Sequence, residues 1–130
     1  VPTAHSAAKG DGAIDLRSLS KDSYIIPPRE IAPGLYDLTI SKCRSAGFAP
    51  RITQHARQMQ TVIGLVSCGM GLALVPASVR NLKRTGVQYR RLRGKPALVE
   101  LGIVQLRGAD HLLSANFADA LRKAARTTTL

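Results

Sequence analysis

The chain has no tryptophan, and only 4% of its 130 residues are aromatic, three tyrosines and two phenylalanines. A reader of single-stranded nucleic acid needs stacking platforms, and this composition hardly supplies them. Only two cysteines are present, Cys43 and Cys68, with no Cys-x-x-Cys pair and no histidine at ligand spacing, so neither a zinc site nor a disulfide scaffold is expected. Reduced thiols in a cytoplasmic protein fit that usage. No apolar run is long enough to span a membrane, and the N-terminus lacks the charged and apolar regions of a secretory signal. The chain opens Val-Pro rather than with methionine and reads as a piece of a longer one.

Acidic residues are missing from positions 38 to 99, while the same span holds eleven lysines and arginines and the whole chain carries a formal charge of +11. Arg80, Lys83, Arg84, Arg90, Arg91, Arg93 and Lys95 form its densest part. Such a field attracts anions of any size, from a small carboxylate to nucleic acid, or is a solvated face. Tyr89 is the sole aromatic among those charges. No catalytic set emerges either: there are no paired carboxylates, no nucleophile with a histidine in a recognisable frame, and three histidines scattered at 5, 55 and 111. An enzyme is not expected, nor a metal or cofactor.

What is present is 45% hydrophobic content, enough for a core, in segments that alternate between periods. Residues 1–14 read as loop, and "DLRSLSKD" (15–22) as a short helical turn opened by Asp15. "SYIIPP" (23–28) reads as a strand stopped by prolines, and 35–46 as a helix with Tyr36, Ile40 and Cys43 inward, ended by Gly47. "RITQ" (51–54) is a second strand. A helix over 56–68 follows, with Met59, Val62, Ile63 and Val66 as one stripe.

"GLVSCGMGLALVPAS" (64–78) then sets two glycines, Gly69 and Gly71, between that helix and an apolar run. A phosphate loop runs strand, glycines, helix, so that helix amides face the anion. Here the order is helix, glycines, strand, which makes the glycines a tight reversal. Gly69 suits a helix C-cap, "LALV" (72–75) a strand buried on both faces, and Pro76 the opening of the turn "PASVRNL". "VQYRRL" (87–92) alternates as an edge strand and "LVELGIVQL" (98–106) is a longer apolar one. A last helix, capped at Ser114, places Phe117, Ala120, Leu121 and Ala124 on one face. Strands alternating with helices make the chain α/β.

The stretch "RITQHARQMQTVIGLVSCGMGLALVPAS" resembles the effector-domain core of LysR-type transcriptional regulators, through Leu65, Val66, Gly69, Gly71, Leu74, Val75 and Pro76. "DLRSLSKDSYIIPPREIAPGLYDLTISKCRSAGFAP", "GVQYRRL" and "LVELGIVQLR" are similar to its flanking segments, so the likeness runs from about His5 to Leu121. It implies a lobe of a type 2 periplasmic-binding-protein-like fold, a mixed sheet with flanking helices. Residues 1–97 would be the second lobe, and 98–130 a crossover strand and helix returning to a first lobe not in the chain. The last helix would then be exposed or paired with another copy.

The resemblance also implies an effector pocket. "PPREIAPGL" would line it through Arg29, Glu30, Pro33 and Leu35, and "QHARQM" through Gln54, His55, Arg57 and Met59. Amides and polar groups at a helix start can hold a carboxylate, while Leu35 and Met59 pack an apolar body. For several of these a plainer role stands beside that one: Met59 as core, His55 as a solvent or hinge residue, Arg29 and Glu30 as a mutual ion pair. The pattern sits nearest the branch sensing aromatic-degradation intermediates, which implies a small, anionic effector. A homo-oligomer (dimer or tetramer) touching DNA through a helix-turn-helix outside this chain is the implied assembly. A lobe of a periplasmic solute-binding protein, or direct nucleic-acid binding by the 80–95 cluster, are the alternatives.

Overall fold

The computed structural model describes residues 1–96, Val104 and residues 112–127. The chain divides into two compact units, Val1–Val99 and Glu100–Leu130.

In the first unit, strand β1 (Ser23–Ile26), helix α1 (Pro33–Ser45), strand β2 (Arg51–His55) and helix α2 (Met59–Ser67) follow one another, with 3-10 turns at Ser6–Ala8, Leu16–Leu19 and Ala77–Asn81. β1 and β2 are parallel and paired Ser23↔Arg51, Tyr24↔Ile52, Ile25↔Gln54 and Ile26↔His55, with an irregularity that leaves Thr53 as the extra residue. The other edge of β1 is taken by Leu72, whose amide donates to the Ser23 carbonyl (2.9 Å) and whose carbonyl accepts from Ile25 (2.8 Å). β1 is therefore central, and its apolar run is buried on both sides.

Alternation along β1 splits the core in two. Tyr24 and Ile26 join Leu16, Leu19, Cys43 and Leu72 on the α1 side. Ile25 joins Ala56, Val62 and Val66 on the α2 side. The apolar stripe of α2 thus does what its spacing predicts. On α1 the buried positions are Thr39 and Cys43, with Tyr36 packed at the margin.

Both helices end in the same way. Gly47 (φ +87°) follows α1 and Gly69 (φ +75°) follows α2. Phe48 N–H reaches the Cys43 carbonyl, and Met70 N–H reaches that of Leu65, each at the spacing of a Schellman cap. The glycine reversal after α2 is therefore a helix terminator.

Boundaries differ from expectation for local reasons. α1 begins at Pro33 rather than 35, because proline is pre-set for the first helical position. α2 begins at Met59 rather than 56, because the Ala56 amide is spent on the Ile26 carbonyl and Gln58 is extended. "LALV" pairs with β1 only at Leu72, after which the segment leaves the sheet toward Pro76, although Ala73 and Leu74 still pack on opposite core halves. The expected edge strand 87–92 is two isolated bridges, Pro2↔Val87 and Ile14↔Leu92. Its partners come from separate stretches, and between them the Arg90 guanidinium donates to the carbonyls of Ala7, Lys9 and Gly12.

Tyr24 and Cys43 lie side by side in the core, both fully buried, with the Tyr24 hydroxyl donating to the Leu19 carbonyl at 3.2 Å. Burial raises both acid groups above their ordinary values; the charges of Cys43 and Asp22 raise the phenol further, while the hydrogen bond with Tyr24 offsets part of the rise of the thiol. The folded state thus favours the neutral forms, so their contribution is full at neutral pH and falls once pH passes the unfolded values of 9.0 and 10.0. Unfolding stability should decline above about pH 9 by up to ~1.4 kcal/mol per pH unit for each group. A Tyr24→Phe, Cys43→Ala double variant should show a flatter alkaline limb in chemical denaturation; an unchanged slope would assign the decline to other groups.

In the second unit, helix α3 (Leu112–Thr127) begins two residues before Ser114, which therefore lies inside the first turn rather than capping it. Leucine propagates a helix better than serine, so the start moves upstream. Leu113, Phe117 and Leu121 stand at 80%, 64% and 40% exposure on one stripe, whereas Ala118 is buried. The Phe117 face is thus open among the described residues, and Arg122 pairs with Asp119 on the same helix (2.9 Å). The 98–106 strand falls outside the described residues except for Val104.

Candidate effector site

Two parallel strands send their carboxyl ends to the same edge, so the loops after Ile26 and after His55 emerge together, and α1 and α2 begin there. In open α/β sheets this edge is where ligands sit, because loops and helix N-termini converge on it. Neither α1 nor α2 has a side-chain cap or an acidic residue in its first turn. Their leading amides and the positive ends of their dipoles are left to an anion or to water.

The first loop is shaped by the Pro28 carbonyl, which accepts from Ile31 and Ala32 (both 3.1 Å). Arg29 leaves that turn and grips Asp37, one turn into α1, through Nε to Oδ1 (2.8 Å) and Nη2 to Oδ2 (2.9 Å). The Arg29–Glu30 pair, the plainer alternative to a cleft role, is not formed; Arg29 pairs with Asp37 instead, since neighbouring residues on a turn diverge whereas Asp37 lies alongside. The ion pair holds the Asp37 carboxyl below its ordinary value and the guanidinium above. Both residues are more than half exposed, so the pair adds little to folding. Glu30 is exposed, Pro33 is exposed at the head of α1, and Leu35 is half-buried.

The second loop is tied to the first strand. His55 Nδ1 lies 3.2 Å from the Ile26 carbonyl, which also accepts from Ala56 N–H at 3.3 Å. A carbonyl only accepts, so the geometry assigns the proton to Nδ1 and leaves Nε2 as the open nitrogen. Gln54, opposite Ile25, is exposed, as is Arg57 in the turn between β2 and α2. Met59 is half-buried against Ile25, Ala56, Val62 and Val66, the packing its spacing suggested. The structure therefore joins Gln54 and His55 to the end of β1, sets Arg57 and Met59 at the head of α2, and ties Arg29 to α1. Asp37 was missed by sequence reading; the signal was an arginine in the loop and an acid within the helix that follows.

A separate concavity of about 390 Å³ lies near Lys9, Asp15, Ser18 and Arg90. Two of its polar groups are committed internally: Arg90 to loop carbonyls, and His5 to Asp22 (3.1 Å) while accepting from Ala7 N–H. Among the described residues no group of three histidines, cysteines or acids could hold a metal ion. Nor is any described helix long and apolar enough to cross a membrane.

A parallel β–α–β core that gathers helix starts and polar loops at one edge is a ligand-binding unit of the α/β, periplasmic-binding-protein-like class. Residues 1–126 match the LysR substrate binding domain, and the chain belongs to that family as an effector-binding domain of LysR type. The HTH-type transcriptional regulator IlvR of Caulobacter vibrioides is 45% identical over 94 residues, 72% of this chain and 31% of the regulator. TtuA of Agrobacterium vitis is 34% identical over 130 residues, the whole chain and 40% of that regulator. The chain thus spans less than half the length of these curated relatives. Among solved structures, the BenM effector binding domain with its effector benzoate matches at TM-score 0.64 and 25% identity, over 72% of this chain and 43% of that one. The QuiR effector binding domain in complex with shikimate matches at TM-score 0.62 and 19% identity, over 100% of this chain and 61% of that one, a likeness of fold.

Proposed function

We propose that residues 1–97 are the second lobe of a cytoplasmic LysR-type regulator's effector domain, and that 98–130 return to its first lobe. The lobe contributes one wall of a cleft for a small carboxylate, with Arg29, Glu30, Pro33, Leu35, Gln54, His55, Arg57 and Met59 at its edge. The observation that carries this is the pair of uncapped, acid-free helix starts at the carboxyl ends of two parallel strands, beside Arg57. The benzoate held by the BenM domain supports a carboxylate. Effector binding between lobes shifts the population toward one lobe angle and so repositions the DNA-binding heads of a homo-oligomer. DNA contact belongs to a helix-turn-helix outside this chain. The relatives are transcriptional regulators, which favours this reading over a transport receptor.

The test is calorimetry with a panel of small carboxylates, benzoate first, on the full regulator and on these 130 residues alone. The full regulator should bind and the lone lobe should not reach micromolar affinity, since half the cleft is missing. Arg57→Gln in the full regulator should weaken carboxylate binding about tenfold or more, the loss of one charge-assisted contact. Micromolar binding by the lone chain, or an indifferent Arg57→Gln, would contradict the reading.

A further inference from the structure

We propose that Asp37 is a positioning residue for effector specificity, holding Arg29 so that one defined edge of its guanidinium is offered to a planar carboxylate. This rests on the reading of Arg29 as a cleft residue. A guanidinium carries five N–H donors in a rigid fork. Asp37 takes the side-on pair, Nε and one hydrogen of Nη2, at 2.8 and 2.9 Å. What remains is the end-on edge, Nη1 and the second hydrogen of Nη2, whose spacing matches the two oxygens of a second carboxylate.

The anchor has two physical consequences. Arg29 sits on a loop and is well exposed, so without Asp37 it would sample many rotamers and lose that freedom on binding. Held from the helix, it is set before the effector arrives. Asp37 also cancels most of the long-range pull of Arg29 on anions. An anion with a single acceptor atom then gains little from the pair, while a carboxylate still gains two aligned hydrogen bonds. Asp37 therefore acts on selection between anions more than on attraction of anions in general. α1 supplies the rigidity, because its first turn is fixed by Pro33 and its Cys43 end is buried in the core.

The experiment compares benzoate with pentafluorophenolate, aryl anions with two acceptor oxygens and with one, by calorimetry on the full regulator. In the native protein benzoate should bind the tighter. Asp37→Ala and Asp37→Asn should each shrink the benzoate-to-pentafluorophenolate affinity ratio, by about tenfold for a lost aligned pair of charge-assisted bonds, with the thermal midpoint unchanged. Asp37→Glu, which can reach the same side-on edge, should restore part of the ratio. A purely structural role would lower both affinities together and leave the ratio alone, and that result overturns the proposal. Arg29→Ala separates the two layers. If it weakens benzoate while the Asp37 variants keep the native ratio, Arg29 lines the cleft and only the role of Asp37 falls. If Arg29→Ala leaves benzoate binding intact, or the native regulator binds neither anion, the cleft reading of Arg29 falls and the proposal with it.

Discussion

Gly71→Ala is expected to destabilise the protein by about 3 kcal/mol or more, from overpacking, backbone strain and lost buried hydrogen bonds together. Gly71 stands at φ +157°, and a Cβ built on it would lie 2.7 Å from the Ser23 carbonyl oxygen, 3.2 Å from its carbon and 3.3 Å from Ile25 Cγ1. The first two of these atoms are backbone of the central strand and have nowhere to move. The same Ser23 oxygen receives the Leu72 amide, so a methyl group there pushes Leu72 off β1 and breaks both hydrogen bonds that seat it. Gly69→Ala is the control. It also has positive φ (+75°), but nothing lies within 4 Å of its would-be Cβ, so only the left-handed backbone penalty of roughly 1–2 kcal/mol applies. Chemical denaturation of the two single variants should therefore differ clearly. Equal losses would mean that conformational freedom, and not close approach to Ser23, is what Gly71 supplies.

That contrast also marks what the sequence could tell. Gly69 was legible as a helix terminator because it stands at the end of an apolar stripe with period near 3.6, and a cap is a local affair. The need for glycine at 71 comes from a carbonyl far upstream, in β1, and no local pattern records it. The β–α–β order was legible from the same periodicities, and with it the edge at which the loops converge, because parallel strands fix that edge. Finer features depended on tertiary partners. The Ala56 amide is drawn to Ile26 and delays the start of α2; "LALV" is apolar enough for a strand, yet only Leu72 finds a ladder partner. At the site, the loop residues could be placed by order alone. The partner of Arg29 could not, since choosing Asp37 over the adjacent Glu30 requires the angle at which α1 leaves the loop.

Ile25→Ala should be the other severe substitution, and it tests whether the head of α2 is held by the core beneath it. Ile25 is completely buried and is the strand residue on which Ala56, Val62 and Val66 close, with Met59 packed at the margin. Truncation removes three carbons and leaves a cavity that helix and strand cannot both relax to fill, at a cost of about 3–4 kcal/mol, against ~1 kcal/mol for Ile25→Val. The consequence for binding follows from where the cavity lies. Ala56 and Met59 flank Arg57 in sequence, so loosening their support lets the arginine and the leading amides of α2 drift from the geometry a carboxylate needs. Ile25→Val should keep effector affinity nearly native, and Ile25→Ala should lower affinity as well as stability. Met59→Leu preserves volume and should cost less than about 1.5 kcal/mol with little change in binding. Should Met59→Leu instead weaken a carboxylate tenfold at unchanged stability, Met59 would be an effector contact in its own right. Should Ile25→Ala lose stability alone, the site would be held by the loop hydrogen bonds at Ile26 rather than by the packing under α2.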